Sequence, residues 1–197
     1  MLKIIPPQQF KTIPWKNGKG ETCELAINEG GTLDDFDWRI SIAGVVEDGL
    51  FSDFSGYWRN LVLIEGNGIA LVHDSDHEKE AKQSTDALKS LLNVATFDGS
   101  CKTHGRLMDG PIKDFNVITK ISKYKTTVTT YNTPKAVELP SCEHCFIFSL
   151  DGEIKLSCTP TILPQGHLLH ICSVDKLDAN VVTVTGQSLI IACLTLV

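Results

Sequence analysis

The sequence predicts an all-β fold. Three observations carry this: strict alternation in the clearest apolar segments, turn chemistry between those segments, and one lone stretch of helix-forming composition. Residues 22–28 (TCELAIN) set Cys23, Leu25 and Ile27 against Thr22, Glu24 and Ala26. Residues 36–45 set Trp38, Ile40 and Ile42 against Asp37, Arg39 and Ser41. Successive side chains of extended backbone point to opposite faces, so this pattern is that of half-buried strands. Further strands are predicted at 59–64, 69–73, 115–122, 126–131, 145–150, 153–158, 168–172, 181–184 and 188–196.

Glu65-Gly66-Asn67-Gly68 and Asp151-Gly152 each separate two apolar runs and read as hairpin turns, where glycine supplies the positive φ. The flanking segments, NLVLIEGNGIALVH and FIFSLDGEIKLSC, share an outline that suggests duplication, although it is common among all-β proteins. Two β-units follow, 1–105 and 106–197, meeting within 99–111. Residues 77–92 (HEKEAKQSTDALKSLL) lack strand periodicity and are rich in helix formers. They are expected to form a surface insertion, either with one short helix or as a solvated loop.

The 197-residue chain is 42% hydrophobic and 21% charged, with a formal net charge of -6. That composition belongs to a globular protein and excludes a disordered one. No run of Lys and Arg forms a basic stripe, so nucleic acid is not an expected partner. The opening MLKIIPPQQF lacks the pattern of a secretory signal. No apolar run approaches the roughly 20 residues of a membrane helix. Seven cysteines are scattered without a small-domain framework, which favours a reducing compartment. The expectation is a soluble cytoplasmic protein without a membrane partner; a homodimer stays open.

Chemical motifs are sparse. Cys142-Glu143-His144-Cys145 is a CxxC without a second such pair, and a structural zinc site needs four ligands. His73 and His77 flank an acidic stretch that reads as a loop. His167 and His170 alternate across a strand. No metal and no cofactor are therefore expected. There is no GxSxG elbow, and Asn17-Gly18-Lys19-Gly20 lacks the preceding strand and following helix of a phosphate loop. The polar faces of the two clearest strands are more informative. Glu24 lies among Thr22 and Ala26, and Arg39 beside Ser41. Turned inward, they would give a shielded cavity an acid, a cation and hydroxyls, suited to a small anionic metabolite that guanidinium grips bidentately. Turned outward, they are a solvated surface. Arg59, after Tyr57-Trp58, has the same two readings.

These residues also carry a resemblance. Residues 15–25 (WKNGKGETCEL) resemble the WxNGxGxTxE opening of the HutD/Ves family. Residues 38–43 (WRISIA) resemble its WRxSxA strand, and 48–56 (DGLFSDFSG) followed by Arg59 its DGxFSxFxG segment. Residues 114–117 (DFNV) are similar to the element that opens its second half, and Leu163-Pro164-Gln165-Gly166 is a weaker echo. One departure is Phe97-Asp98-Gly99-Ser100, where the family often has FxGD.

The resemblance implies a bicupin, two cupin-like barrels in one chain. It also implies a role in histidine utilisation or stress response, with a pocket for a carboxylate such as urocanate or formylglutamate. The chain has no HxH, which argues against metal-dependent cupin chemistry. By matching positions, Trp15, Asn17, Glu24, Trp38, Arg39, Ser41, Arg59 and Asn116 become candidate ligand-binding residues. A non-catalytic binder is the first expectation. A metal-independent hydrolase or isomerase using Glu24 as general base is the alternative.

Overall fold

The computed structural model describes residues 1–15, 20–75, 82–160, 162–177 and 181–197. It is built almost entirely of strands, with short 3-10 turns at Pro7–Gln9 and Val174–Lys176. The all-β expectation holds. Among the described residues no helix is long and apolar enough to cross a membrane.

The chain divides into two units. The first comprises Lys11–Ser122. Its strands are β2 (Lys11–Pro14), β3 (Glu21–Ile27), β4 (Trp38–Val45), β5 (Gly49–Leu50), β6 (Tyr57–Glu65), β7 (Ile69–Ser75), β8 (Lys82–Leu88), β9 (Val94–Asp98), β10 (Lys102–Leu107) and β11 (Ile112–Lys120). They form a six-stranded sheet in the order β2-β3-β4-β11-β6-β9 and a four-stranded sheet in the order β5-β10-β7-β8. The two sheets share one apolar core. Leu61, Leu63, Ala95, Phe97 and Ile112 of the larger sheet pack with Ile69, Leu71 and Leu88 of the smaller.

The second unit comprises Met1–Phe10 and Lys123–Val197. It contains β1 (Leu2–Ile5), β12 (Tyr124–Tyr131), β13 (Lys135–Glu138), β14 (His144–Leu156), β15 (Ile162–Leu163), β16 (Leu168–Cys172) and β17 (Thr183–Leu196). The sheet order is β1-β16-β14-β17-β12, with β13 added on β17 and β15 on β14. Its core gathers Cys145, Ile147, Ile154, Leu169, Ile171, Val184 and Ile191 among others. The division therefore falls at Ser122/Lys123 and not at 105/106. Ladder pairing of β11 with β4 and β6 keeps the DFNV segment in the first unit. Antiparallel pairing of β1 with β16 carries the first residues into the second.

Neither expected hairpin is one. β6 and β7 lie in different sheets, so residues 65–68 form a corner where the chain changes sheet. Gly66 has φ 94° and Gly68 φ 121°, and a Cβ on Gly66 would fall 2.5 Å from the Pro111 carbonyl oxygen. Asp151-Gly152 is a bulge within β14, not a reversal. Asp151 pairs with Gln187 and Lys155 with Thr185, so two residues of β14 are left over against the same partner strand, as in an irregular ladder. Neither alternative for 77–92, a short helix or a solvated loop, holds over 82–88. Residues 82–88 are β8, paired with β7 along its length; 77–81 lie outside the described residues. Pairing with β7 outweighs the helix propensity of KQSTDAL, because propensity is worth only tenths of a kcal/mol per residue.

Candidate functional site

The six-stranded sheet positions the candidate residues through its register. Directly opposite residues in a ladder share a face. One cross-strand row runs Glu24, Ser41, Asn116, Leu61, Ala95, and the next runs Ile27, Arg39, Ile118, Arg59, Phe97. A third row joins Thr22, Ala43, Asp114 and Leu63. Leu61, Leu63 and Phe97 point into the core between the two sheets, so the polar members of these rows share that inward face. A bulge at Leu25 makes this possible. Glu24 pairs with Ser41 and Ala26 with Ile40, which leaves Leu25 as the extra residue. Strict alternation would have kept Ile27 on the side of Cys23; the bulge moves it beside Arg39.

The burial is deep. Glu24, Arg39, Ser41, Arg59 and Asn116 are each no more than 7% exposed, and Asp114 is fully buried. The solvated-surface alternative is thereby set aside for these positions. Arg39 donates from Nε to Glu24 Oε2 at 2.8 Å. Among the described residues its terminal Nη atoms enter no hydrogen bond.

Arg59 is held differently. Its guanidinium carbon lies 5.2 Å from the ring centroids of Phe51, Phe54 and Phe97, a cage that attracts a cation through the ring quadrupoles. One Nη donates to the Ser52 carbonyl at 3.2 Å and the other to Asn116 Oδ1 at 3.3 Å. Close approach at Gly99 supports the cage: the Phe54 amide donates to the Gly99 carbonyl at 2.9 Å, and a Cβ at Gly99 would meet Phe54 O at 2.3 Å.

Asn116 Nδ2 in turn donates to Asp114 Oδ1. Among the described residues, two buried polar atoms of this network have no partner, Arg59 Nε and Asp114 Oδ2. Burial pushes the Asp114 carboxyl up to about 7, against the opposing pull of Arg59 and the Asn116 hydrogen bond. Burial likewise lowers Arg59 to about 10, with Asp114 acting in the other direction; the guanidinium stays charged at neutral pH.

The four-stranded sheet adds His73, buried on β7. Its Nδ1 is 2.9 Å from Thr103 Oγ1, its Nε2 is 3.3 Å from Asp86 Oδ2, and its ring lies 4.6 Å from that of Phe97. Burial lowers its pKa against the opposing effect of Asp86, which favours the neutral imidazole. His73 stands in the strand expected at 69–73, opposite Thr103 and Ser84; the loop expected just after it is corrected, since β7 continues through Asp74 to Ser75.

Not every candidate converges. Trp38 is buried, but it neighbours Arg39 on β4 and lies in the row of Thr119 and Trp58 on the opposite face. Trp15 is half-buried at the end of β2 and reaches the inward face only through Nε1, which donates to Thr22 Oγ1 at 2.8 Å. Asn17 lies outside the described residues. Sequence reasoning missed Asp114, His73 and Thr103. For Asp114 the signal was present in the DFNV segment, from which only Asn116 was taken.

A family model described as HutD matches residues 7–190. The chain belongs to the HutD family. HutD from Pseudomonas fluorescens SBW25, solved in a formate condition, superposes with a TM-score of 0.81 at 26% identity over all of both chains. An uncharacterised 21.2 kDa protein of the hutC 3' region of Pseudomonas putida is 28% identical over 156 residues, 79% of this chain and 77% of that protein. Protein Ves of Escherichia fergusonii is 34% identical over 115 residues, 58% of this chain and 56% of that protein. The names of these relatives tie the family to the histidine-utilisation locus.

Proposed function

We propose that the first unit binds a small metabolite through its carboxylate, as a non-catalytic binder or regulator in histidine utilisation. One observation carries this reading: two buried arginines share one sheet face, Arg59 with its Nε buried and unpartnered among the described residues and Arg39 with only its Nε engaged, by Glu24. A buried donor without an acceptor costs about 1–3 kcal/mol, more when charged, so natural proteins rarely leave one unmet. With Asp114 protonated, the face holds Arg39, Arg59 and one compensating carboxylate, Glu24. An incoming carboxylate restores the balance.

Arg39 and Arg59 are separated by β11, and two strand spacings amount to about 10 Å. A dicarboxylate, or an acid with a second polar end, suits that span. Urocanate and formylglutamate have this chemistry and belong to histidine breakdown.

Differential scanning fluorimetry tests the reading against urocanate, formylglutamate and glutamate, on the wild type and Arg39→Lys. A ligand at a hundredfold excess over Kd stabilises by about 2.7 kcal/mol. The expected result is a clear upward shift for at least one acid that is reduced at least tenfold in affinity in Arg39→Lys, since lysine cannot offer the planar fork. No shift with any acid, or one indifferent to Arg39, defeats the proposal.

The carboxyl at Asp114, poised near neutrality, favours a second reading, a metal-independent hydrolase or isomerase. The base would then be Asp114 in place of Glu24. Turnover lost in Asp114→Asn with binding retained selects it.

A further inference from the structure

We propose that the second unit carries a site for a thiophilic d10 metal ion, zinc(II) or copper(I), formed by Cys142, Cys145 and Cys193. The first two belong to the CxxC that lacked a second pair in the sequence. The fold supplies the third ligand from 48 residues away, because Cys145 on β14 is the direct ladder partner of Cys193 on β17. Directly opposed residues place their side chains on one face. Cys142, just before β14, closes the set from the side.

The geometry is that of a ligand set. The three Sγ atoms all lie within 4.8 Å of one another, and Cys145 and Cys193 are 3.9 Å apart at sulfur. Thiolates about 2.3 Å from a tetrahedral ion sit about 3.8 Å from each other. All seven cysteines carry free thiols. Soft sulfur donors without carboxylate or carbonyl oxygens select zinc or copper(I) over magnesium or calcium.

Access is the second observation. All three cysteines are at least nine-tenths buried, yet Cys193 also lines a cleft of about 430 Å³ with Thr127, Thr129, Glu138, Ser141 and Thr195. Ions and water can therefore approach one side of the sulfur cluster, and a fourth ligand from solvent or a small molecule would enter there. Three thiolates plus one open position is the plan of a reactive or exchangeable metal site, whereas structural zinc is closed by four protein ligands. Loading ionises the thiols: the ion bonds to three sulfurs and the displaced S–H protons pass to solvent.

The test uses the full chain, reduced and freed of metal by chelation. Zinc(II) is titrated against a chromophoric chelator, and copper(I) anaerobically against its own. The expected result is one ion per chain for at least one metal, with proton release. Binding is lost in Cys193→Ser and retained in Cys23→Ser, and the arm that binds tightly identifies the metal. Buried Cys193→Ser can fail to fold, so a second measurement uses the wild type alone. Mass-spectrometric mapping after alkylation long enough for local opening to label the buried thiols of the metal-free chain should show Cys142, Cys145 and Cys193 protected by the metal, while Cys23 and Cys101 react as before. Failure of both metals to bind, binding indifferent to Cys193, or unchanged alkylation of the three thiols overturns the proposal. This site is independent of the carboxylate site, and either can fail alone.

Discussion

The two units use the same strand chemistry and bury opposite things. Of the twelve buried polar or charged residues among those described, the first unit holds ten: Glu24, Arg39, Ser41, Arg59, Asn60, His73, Thr103, Asp114, Asn116 and Thr119. The second holds Ser149 and His170. Its core is instead valine, isoleucine, leucine and sulfur. An apolar core is the cheaper way to stabilise a β-unit, because each buried charge must be desolvated and only good partners repay this. A unit that keeps two arginines and two carboxylates inside is spending stability on something other than folding. The difference supports the proposal that an anion is recognised in the first unit, with the proposed soft-ligand chemistry in the second.

The largest effect should come from breaking the charged interior. Arg59→Ala removes the cation from its three rings, leaves a cavity and deprives the Ser52 carbonyl and Asn116 Oδ1 of their donor, at an expected cost of about 2–5 kcal/mol. Urea unfolding followed by tryptophan emission measures it in the right place, because Trp15, Trp38 and Trp58 all lie in the first unit. A loss below about 1 kcal/mol would show that the caged guanidinium is dispensable and the contrast overdrawn.

The matching change in the apolar interior is Ile154→Ala, at a fully buried position of the second unit. It should cost about 2–5 kcal/mol by leaving a cavity, seen in urea unfolding by circular dichroism. Carboxylate affinity, measured in parallel, should not change. If affinity falls with it, recognition does not belong to the first unit alone.

The smallest effect is a slope. An unfolded aspartate titrates near about 3.9, whereas folded Asp114 titrates at about 7. Between these values the folded state binds more protons, so this group makes stability fall as pH rises, by at most about 1.4 kcal/mol per pH unit. Stability measured from pH 4 to 7 in wild type and Asp114→Asn should differ in this slope, the variant being flatter. Parallel curves would mean that Asp114 is ionised throughout.

Much of this site was legible because strand alternation is a local signal. Glu24, Arg39 and Ser41 were read from alternation, Arg59 from its place after Tyr57-Trp58 and the family resemblance, and Asn116 from that resemblance alone; the register assembles all five. Trp38 entered through the resemblance alone, and the alternation that sets it against Arg39 puts it on the other face of the sheet. Asp114 escaped because the predicted strand began at residue 115, although two positions before Asn116 it shares that residue's face. Turns were legible only as turns. Gly66 and Gly68 mark positive φ equally well at a hairpin and at a corner between sheets, and only long-range pairing separates the two. The division at Ser122/Lys123 and the meeting of Cys142 with Cys193 are long-range facts of the same kind.

Pairing of Leu2–Ile5 with Leu168–Cys172 sets an order of events during synthesis. β1 leaves the ribosome before β16 and stays without that partner until more than 160 further residues have been made. The intervening segment can meanwhile complete its own two sheets. A bulky fusion placed before Leu2 would thus be felt last, in the closing of the carboxy-terminal sheet, far along the chain from where it was attached.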